Sequence, residues 1–372
     1  MTSVASEDQW HMKAALALAY RGLGRVWPNP AVGCVIVDRK GHVVSRGWTQ
    51  PGGRPHAEQI ALDAAGDKAA GATVYVTLEP CAHHGVTPPC AQALIDAHVG
   101  RVVVAIMDPD PRVAGRGLDM LKAAGITVEL GIGADEARKL NAGFLTKVSQ
   151  QRPYVILKAA TSIDGLIATG TGQSKWITGP SARKMAHYFR GQVDAILVGS
   201  ATVLADDPAL TCRLEGMEDR SPVKIVLDTA LKLSTDCQLL KTAGDVPVWI
   251  VTTQPETHPK AQAFISVGAE IVFLEKTSED LQIDIGELLT ALAARGITRL
   301  MVEGGSHVNA SFLQQRVVDR LLWFRAPLII GGDGLNAIQA CGVKILDQAH
   351  RFSQVTYRPL EDGQLEIYER ER

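Results

Sequence analysis

At 372 residues the chain is too long for one ordinary hydrophobic core, so two domains are expected. Its 46% apolar and 21% charged residues are the composition of a soluble globular protein. A net charge of −2 excludes a global electrostatic case for nucleic acid or an anionic membrane as partner.

No apolar run approaches the roughly 18 residues of a membrane span, and the opening residues lack a basic-then-apolar leader. Six cysteines in this length do not make a disulfide framework, so a cytoplasmic location is expected. In chain order, a helix is predicted over about 8–22, then strands over 31–37, with Cys34 in the core, and 43–48. Pro55 opens a helix over 56–65 that Gly66 closes. The alternating run Thr73–Leu78 reads as a strand with Cys81 at its C-terminal end. A helix over 90–98, a strand over 101–106, a helix over 116–124 and a strand over 126–130 follow. Residues 134–150 read as helical, and Gln150–Pro153 is the expected boundary between domains 1–150 and 151–372. This alternation predicts an α/β domain with helices on both faces of its sheet.

Three residue types in this first half point to one chemistry. His56, Cys81 and Cys90 offer an imidazole and two thiols, and a catalytic zinc takes three such ligands and leaves a position for water. Zinc lowers the pKa of that water to about 7, and Glu58, two residues from His56, is placed to shuttle protons. His-x-Glu alone is commonly a surface pair, and lone cysteines are commonly core thiols. Their joint placement at a strand end and two helix starts is what points to zinc. Eight residues separate the cysteines, where the general deaminase signature has two.

The second half restarts with a strand at Tyr154–Ala159, and strands are expected over 193–198, 223–228, 247–252, 270–274 and 299–302. Helices are expected over 180–190, 259–267, 284–295 and 306–315, and further strands near 319–325, 352–358 and 364–369. Val302-Glu303-Gly304-Gly305-Ser306 lies between a strand and a helix, where free N–H groups suit a phosphate, although such a glycine pair is commonly structural. Asp206-Asp207-Pro208 reads as a turn with a helix cap rather than a metal site, and Gly331–Gly334 as a plain turn. Trp176 is either core or a platform for a flat ligand.

In the first half the matching motifs are Asn29-Pro30-x-Val32-Gly33, His56-Ala57-Glu58, Thr77-Leu78-Glu79-Pro80-Cys81, His83-x-Gly85-x-Thr87-Pro88-Pro89-Cys90, Asp108-Pro109-x-Pro111 and Asn141-x-Gly143-Phe144. In the second they are Leu157-Lys158, Ser162-Ile163-Asp164-Gly165, Ser174-x-Trp176-Ile177-Thr178, Ala205-Asp206-Asp207-Pro208 and Val302-Glu303-Gly304-Gly305. Over nearly the whole chain they resemble the bifunctional deaminase–reductases of riboflavin biosynthesis, in which the long loop between the cysteines is normal.

The resemblance implies an α/β fold: an N-terminal cytidine-deaminase-like α/β/α domain and a C-terminal dihydrofolate-reductase-like α/β domain. It implies one Zn²⁺ per chain and NADPH. The implied substrate, 2,5-diamino-6-ribosylamino-4(3H)-pyrimidinone 5′-phosphate, loses its 2-amino group to zinc-activated water, and its ribosyl unit is then reduced to ribityl. It also implies a small-molecule partner, no nucleic acid or membrane, and a homo-oligomer through the reductase domain. Carried over, His56, Cys81 and Cys90 hold zinc, Glu58 is the proton shuttle, and Asn29, His83 and Asp108 contact the deaminase substrate. Lys158, Ser174, Arg190, Leu210, Arg213 and Glu303 face the reductase substrate, with Arg190 and Arg213 suited to its phosphate. Ala160, Trp176, Thr202, Thr229, Gly305, Ser306 and His307 face the cofactor, and Asp206 the substrate or the cofactor. Two positions depart from the pattern: Val86 replaces a usual basic residue, and Thr49 a frequent histidine, with Arg54 as the candidate substitute for the lost phosphate contact.

Two other classes compete. A deaminase of free or polymeric nucleobases joined to an unrelated NADP-binding domain calls, for nucleic acid, for a basic groove with stacking aromatics, whereas Trp10, Trp27 and Trp48 are scattered. A binding module with structural zinc calls for four ligands, and only three stand at suitable positions.

Overall fold

The computed structural model describes residues 4–83, 88–111, 113–275 and 283–371. They form two compact units, Met1–Gln151 and Arg152–Arg372.

In the first unit the elements are α1 (Val4–Ala19), β1 (Gly33–Val37), β2 (Val43–Trp48), α2 (Ala57–Ala65), β3 (Thr73–Val76), α3 (Cys90–Asp96), β4 (Arg101–Val104), α4 (Arg116–Ala123), β5 (Thr127–Leu130), α5 (Ala134–Leu140) and α6 (Ala142–Gln150). The sheet order is β2-β1-β3-β4-β5. β1 runs antiparallel to both neighbours, and β3, β4 and β5 are parallel. Two glycines set the layers. Gly33 and Cys34 point to opposite faces of the sheet, and Cys34 is paired with Gly47, so Gly33 and Gly47 face opposite ways. A Cβ on Gly33 would lie 1.9 Å from the Ala15 carbonyl of α1, and one on Gly47 would lie 2.1 Å from the Ala57 carbonyl of α2. One helix therefore packs closely on each face, as the alternation predicts.

The helical stretch expected over 134–150 is divided at Asn141. Its buried amide accepts the Ala31 N–H and donates to the Ala31 carbonyl, both at 3.0 Å. That pairing turns the chain between α5 and α6 and docks α6 against the segment before β1.

The second unit contains β6 (Tyr154–Thr161), β7 (Leu166–Ala168), α7 (Pro180–Arg190), β8 (Ala195–Gly199), α8 (Ser200–Asp206), β9 (Val223–Leu227), α9 (Gln238–Lys241), β10 (Val248–Thr252), α10 (Pro259–Ser266) and β11 (Glu270–Phe273). It continues with α11 (Ile285–Ala294), β12 (Arg299–Val302), α12 (Ser306–Gln314), β13 (Val318–Arg325), β14 (Leu335–Asn336), β15 (Phe352–Leu360) and β16 (Gly363–Arg370). Nine strands form one sheet in the order β11-β10-β9-β8-β12-β6-β13-β16-β15. It is parallel from β11 to β13, and β16 and β15 add an antiparallel edge. The fully buried strands β8, β10 and β12 are apolar except for Thr252 and Arg299 at strand ends, as parallel strands covered on both faces should be.

Asp207, expected in a turn with a cap, has φ 40° at the end of α8, and its carboxylate accepts the Gln238 N–H at the start of α9 at 2.7 Å. The turn at Gly331–Gly334 is pinned by the Asp164 carboxylate, which accepts the Gly331 N–H at 2.8 Å. The short pair β7–β14 and the helices α8 and α9 were not expected from the sequence.

Candidate functional site

In the first unit the C-terminal ends of β3 and β4 meet the starts of α2 and α3, the usual place for ligands in a parallel sheet. His56 is the N-cap residue of α2, Glu58 lies in its first turn, and Cys90 is the first residue of α3. Cys81 follows β3. The donor atoms of His56, Cys81 and Cys90 lie within 4.8 Å of one another. His56 Nδ1 is 3.3 Å from Cys90 Sγ and 3.8 Å from Cys81 Sγ. Tetrahedral zinc with bonds of about 2.0–2.1 Å to nitrogen and 2.3 Å to sulfur requires N···S separations of about 3.6 Å. The triad is thus already spaced for that ion.

Electrostatics favour anionic sulfur here. The Cys90 backbone N–H donates to Cys81 Sγ at 3.3 Å, one of the free donors of a helix start. Hydrogen bonding from the Cys90 thiol, then from His56, brings the Cys81 thiol down to about 4 against the opposing effect of burial. Cys90 moves strongly upward because it donates to Cys81 and is itself buried. One thiol of the pair ionises readily, and the other keeps its proton while the first is a thiolate. Glu58 is 3% exposed, and burial, followed by the Cys81 charge, lifts its carboxyl to about 7.

A cleft of 220 Å³ opens on these groups, and Asn29, His83 and Asp108 also line it. Gly53, at φ 83°, lets Asn29 approach, since a Cβ there would lie 1.9 Å from the Asn29 amide nitrogen. His83 Nδ1 is buried without a hydrogen-bond partner among the described residues. The Asp108 carboxylate accepts the Asp110 N–H at 2.8 Å. Thr49 is taken up structurally: buried, it accepts the Val32 N–H at 2.9 Å. Val86 lies outside the described residues.

Sequence reasoning quoted Glu79 only as part of a motif. Its buried carboxylate accepts the N–H groups of Asp108 (3.2 Å), Gly115 (3.0 Å), Gly117 (3.0 Å) and Leu118 (3.4 Å). It caps α4 from outside and pins the loop that carries Asp108. Phe144 and Lys147 of α6 also line the cleft and were not singled out.

In the second unit Lys158 lies within β6, one residue past Leu157, the partner of Val302, and so stands level with Glu303 just after the neighbouring parallel strand β12. Lys158 Nζ is 3.7 Å from Glu303, which Arg190 of α7 holds through Nε at 2.7 Å and Nη2 at 2.8 Å. Burial alone would raise the Glu303 carboxyl, but Arg190 and then Lys158 outweigh it and hold it at about 2. In this structure Arg190, expected to face the substrate phosphate, is engaged with Glu303. Its forked face grips a carboxylate, and Nη1 donates to the Thr211 carbonyl at 3.1 Å.

Arg213 is exposed, and its N–H donates to His187 Nδ1 at 3.1 Å. His187, which sequence reasoning missed, stands three residues before Arg190 on α7, so the two share a helix face. Burial, then the charges of Arg190 and Arg213, push it down to about 4. Leu210 has φ 51° and a buried side chain, which leaves its backbone as the part able to meet a ligand.

Thr229 and His307 line a second cavity, of 420 Å³, with Gly199 to Ala201 and Leu227, beyond the C-terminal ends of β8 and β9. Thr202 accepts the Gly305 N–H at 3.0 Å, and the Ser306 carbonyl accepts the Gln339 N–H at 3.2 Å. The Ser174 hydroxyl reaches Asp206 at 3.5 Å. Ala160 is half-buried on β6, opposite Phe324 of β13. Trp176 is not core: it is 70% exposed, with the Arg183 guanidinium 4.2 Å from its ring centroid.

Comparison with known proteins decides the family. Residues 5–106 match the cytidine and deoxycytidylate deaminase zinc-binding region, and residues 153–356 match the RibD C-terminal domain. The riboflavin biosynthesis protein RibD of Aquifex aeolicus is 42% identical over 342 residues, 92% of each chain. The chain belongs to the RibD family. The solved RibD of Acinetobacter baumannii has a TM-score of 0.89 at 36% identity, covering 99% of this chain and 100% of that one. A Thermotoga maritima diaminohydroxyphosphoribosylaminopyrimidine deaminase/5-amino-6-(5-phosphoribosylamino)uracil reductase has a TM-score of 0.86 at 34% identity, covering 98% and 99%. As a member of that family, this protein is a zinc-dependent deaminase and an NADPH-dependent reductase of riboflavin biosynthesis, with a cytidine-deaminase-like domain followed by a reductase domain. Among the described residues no helix is long and apolar enough to cross a membrane.

Proposed function

We propose that residues 1–150 carry the deamination and residues 151–372 the reduction of one phosphorylated pyrimidine. The observation that carries this reading is the convergence of His56, Cys81 and Cys90 beside buried Glu58. These three residues would hold zinc, which supplies a water nucleophile at neutral pH by lowering its pKa to about 7. Glu58, already near neutral in proton affinity, takes up a proton and returns it to the departing amino group. Asn29, His83 and Asp108 orient the pyrimidine over the donors, and the unpartnered His83 Nδ1 is suited to a ring substituent.

In the second unit NADPH would occupy the cavity lined by Thr229 and His307 and would supply hydride, with Ala160, Trp176, Thr202, Gly305 and Ser306 as its further contacts. Lys158 and the Arg190–Glu303 pair present fixed charges to the ribosyl unit, with Ser174, Asp206 and the Leu210 backbone around it. Arg213, exposed and held by His187, receives the phosphate.

Self-association through the second unit is supported by its exposed apolar side chains, among them Ile329 (74%), Leu346 (83%) and Tyr357 (58%). A cytoplasmic location accords with six free cysteines. The test is incubation with the diaminopyrimidinone ribosylamine 5′-phosphate, with and without NADPH, and identification of products by mass. Ammonia release without NADPH, and a ribityl product only with it, is expected. Failure to release ammonia from this substrate by zinc-loaded protein would overturn the reading.

A further inference from the structure

Residues 207–213, after α8, form neither helix nor strand, so no ladder fixes their backbone. Three bonds from the last turn of α7 hold the end of this segment instead. Arg190 Nη1 donates to the Thr211 carbonyl at 3.1 Å, and the Cys212 thiol donates to the His187 carbonyl at 3.2 Å. The third is the Arg213 N–H, which donates to His187 Nδ1 at 3.1 Å. His187 thus grips the segment with both its backbone and its ring. The helix that carries it is fixed at both ends. At its start the Asp362 carboxylate accepts the Ser181 and Ala182 N–H groups at 2.8 and 3.3 Å, and at its end Arg190 holds Glu303.

A backbone N–H can only donate, so His187 Nδ1 must offer a lone pair to Arg213. Its surroundings favour that form. Burial and then the Arg190 and Arg213 charges press His187 to about 4, with Glu303 opposing them, so the acceptor is present at neutral pH. Among the described residues the Arg213 guanidinium donates only to the Thr211 hydroxyl, at 3.4 Å, and its other N–H groups are open to a ligand. An exposed, flexible side chain binds better when its backbone is already fixed, because ordering it on binding costs affinity.

We propose that His187 is a positioning residue of the reductase: its ring nitrogen fixes the Arg213 backbone and so aims the guanidinium at the 5′-phosphate. Its effect is made through Arg213 alone, and it should vanish wherever Arg213 or the phosphate is absent. The inference rests on Arg213 as the receiver of the phosphate.

The experiment is a double-mutant cycle in the full-length enzyme. NADPH oxidation is followed on the pre-deaminated substrate and on its 5′-dephosphorylated counterpart. His187→Leu should raise KM for the phosphorylated substrate about two- to tenfold, the worth of one neutral hydrogen bond, and move kcat much less. His187→Asn, whose amide oxygen stands near the place of Nδ1, should recover most of the loss. KM for NADPH and for the dephosphorylated substrate should hold steady, and His187→Leu should add nothing to Arg213→Ala. His187→Gln, which reaches past the Nδ1 position, gives the same comparison should His187→Leu not fold. An unchanged KM, an equal rise for both substrates, or a fully additive loss in the double variant overturns the proposal. An Arg213→Ala variant with the parent's KM for the phosphorylated substrate would instead sink the phosphate reading beneath it, and the proposal with it.

Discussion

Arg190 and Glu303 meet through two parallel hydrogen bonds, Nε to Oε1 at 2.7 Å and Nη2 to Oε2 at 2.8 Å. The carboxylate side chain is only 7% exposed, so its charge persists because a guanidinium and the Lys158 ammonium answer it. Its folded carboxyl titrates near 2 against an ordinary value of 4.5. A depressed carboxylate stabilises the fold above its unfolded pKa, and that contribution is lost as pH falls from the unfolded value through the folded one. The shift corresponds to about 3 kcal/mol. Glu303→Gln should therefore be less stable than the parent at neutral pH, with the gap closing as pH falls from about 4.5 toward 2. Denaturant midpoints across that range check this, and a gap independent of pH would refute it. Reduction should fall in the same variant while ammonia release persists.

Cys81→Ser should cost the first unit its zinc. Serine lacks the thiolate that Cys90 and His56 stabilise at this position. Metal analysis should show stoichiometric loss and deamination should vanish, while NADPH oxidation with pre-deaminated substrate continues. Full zinc retention would remove Cys81 from the ligand set.

Glu58→Gln keeps the shape of a buried side chain but cannot carry a proton. Zinc should remain bound while kcat for deamination drops about 10²- to 10⁴-fold, the usual worth of a general acid–base group. A loss smaller than about tenfold at saturating substrate would make another residue the shuttle.

Gly47→Ala tests the packing beneath the metal donors. Its new Cβ would meet the Ala57 carbonyl at 2.1 Å and the Ala61 nitrogen at 2.8 Å, both backbone atoms of α2. The helix must move, and it carries His56 and Glu58 at its start. A destabilisation of about 1–3 kcal/mol or more is expected, together with weaker zinc affinity. Gly244→Ala meets nothing within 4 Å and should stay within about 0.5 kcal/mol of the parent. Equal behaviour of the two variants in unfolding and zinc titration would show that the α2 contact is soft.

Much of this was legible in the sequence because local signals agreed with the tertiary outcome. β2 spans Val43–Trp48 and α7 spans Pro180–Arg190, as alternation and an N1 proline indicate. The zinc donors were legible because each stands where one periodicity gives way to another. The division at Asn141 was hidden because its amide is satisfied by Ala31, 110 residues earlier. The Arg190–Glu303 pair was hidden because a guanidinium fork fits carboxylate and phosphate alike, and only the fold brings Glu303 to it. β7 and β14, of three and two residues, are too short to show a period.

Glu79 bears on how this active site can be moved between proteins. Its four N–H partners lie between residues 108 and 118, while Cys81 is only two residues along the chain from it. A zinc signature grafted into another scaffold without that loop would bury a carboxylate facing no donors, at a cost of several kcal/mol. The smallest portable unit of this chemistry is therefore the signature and the 108–118 loop together, and the two are constrained to diverge as one piece.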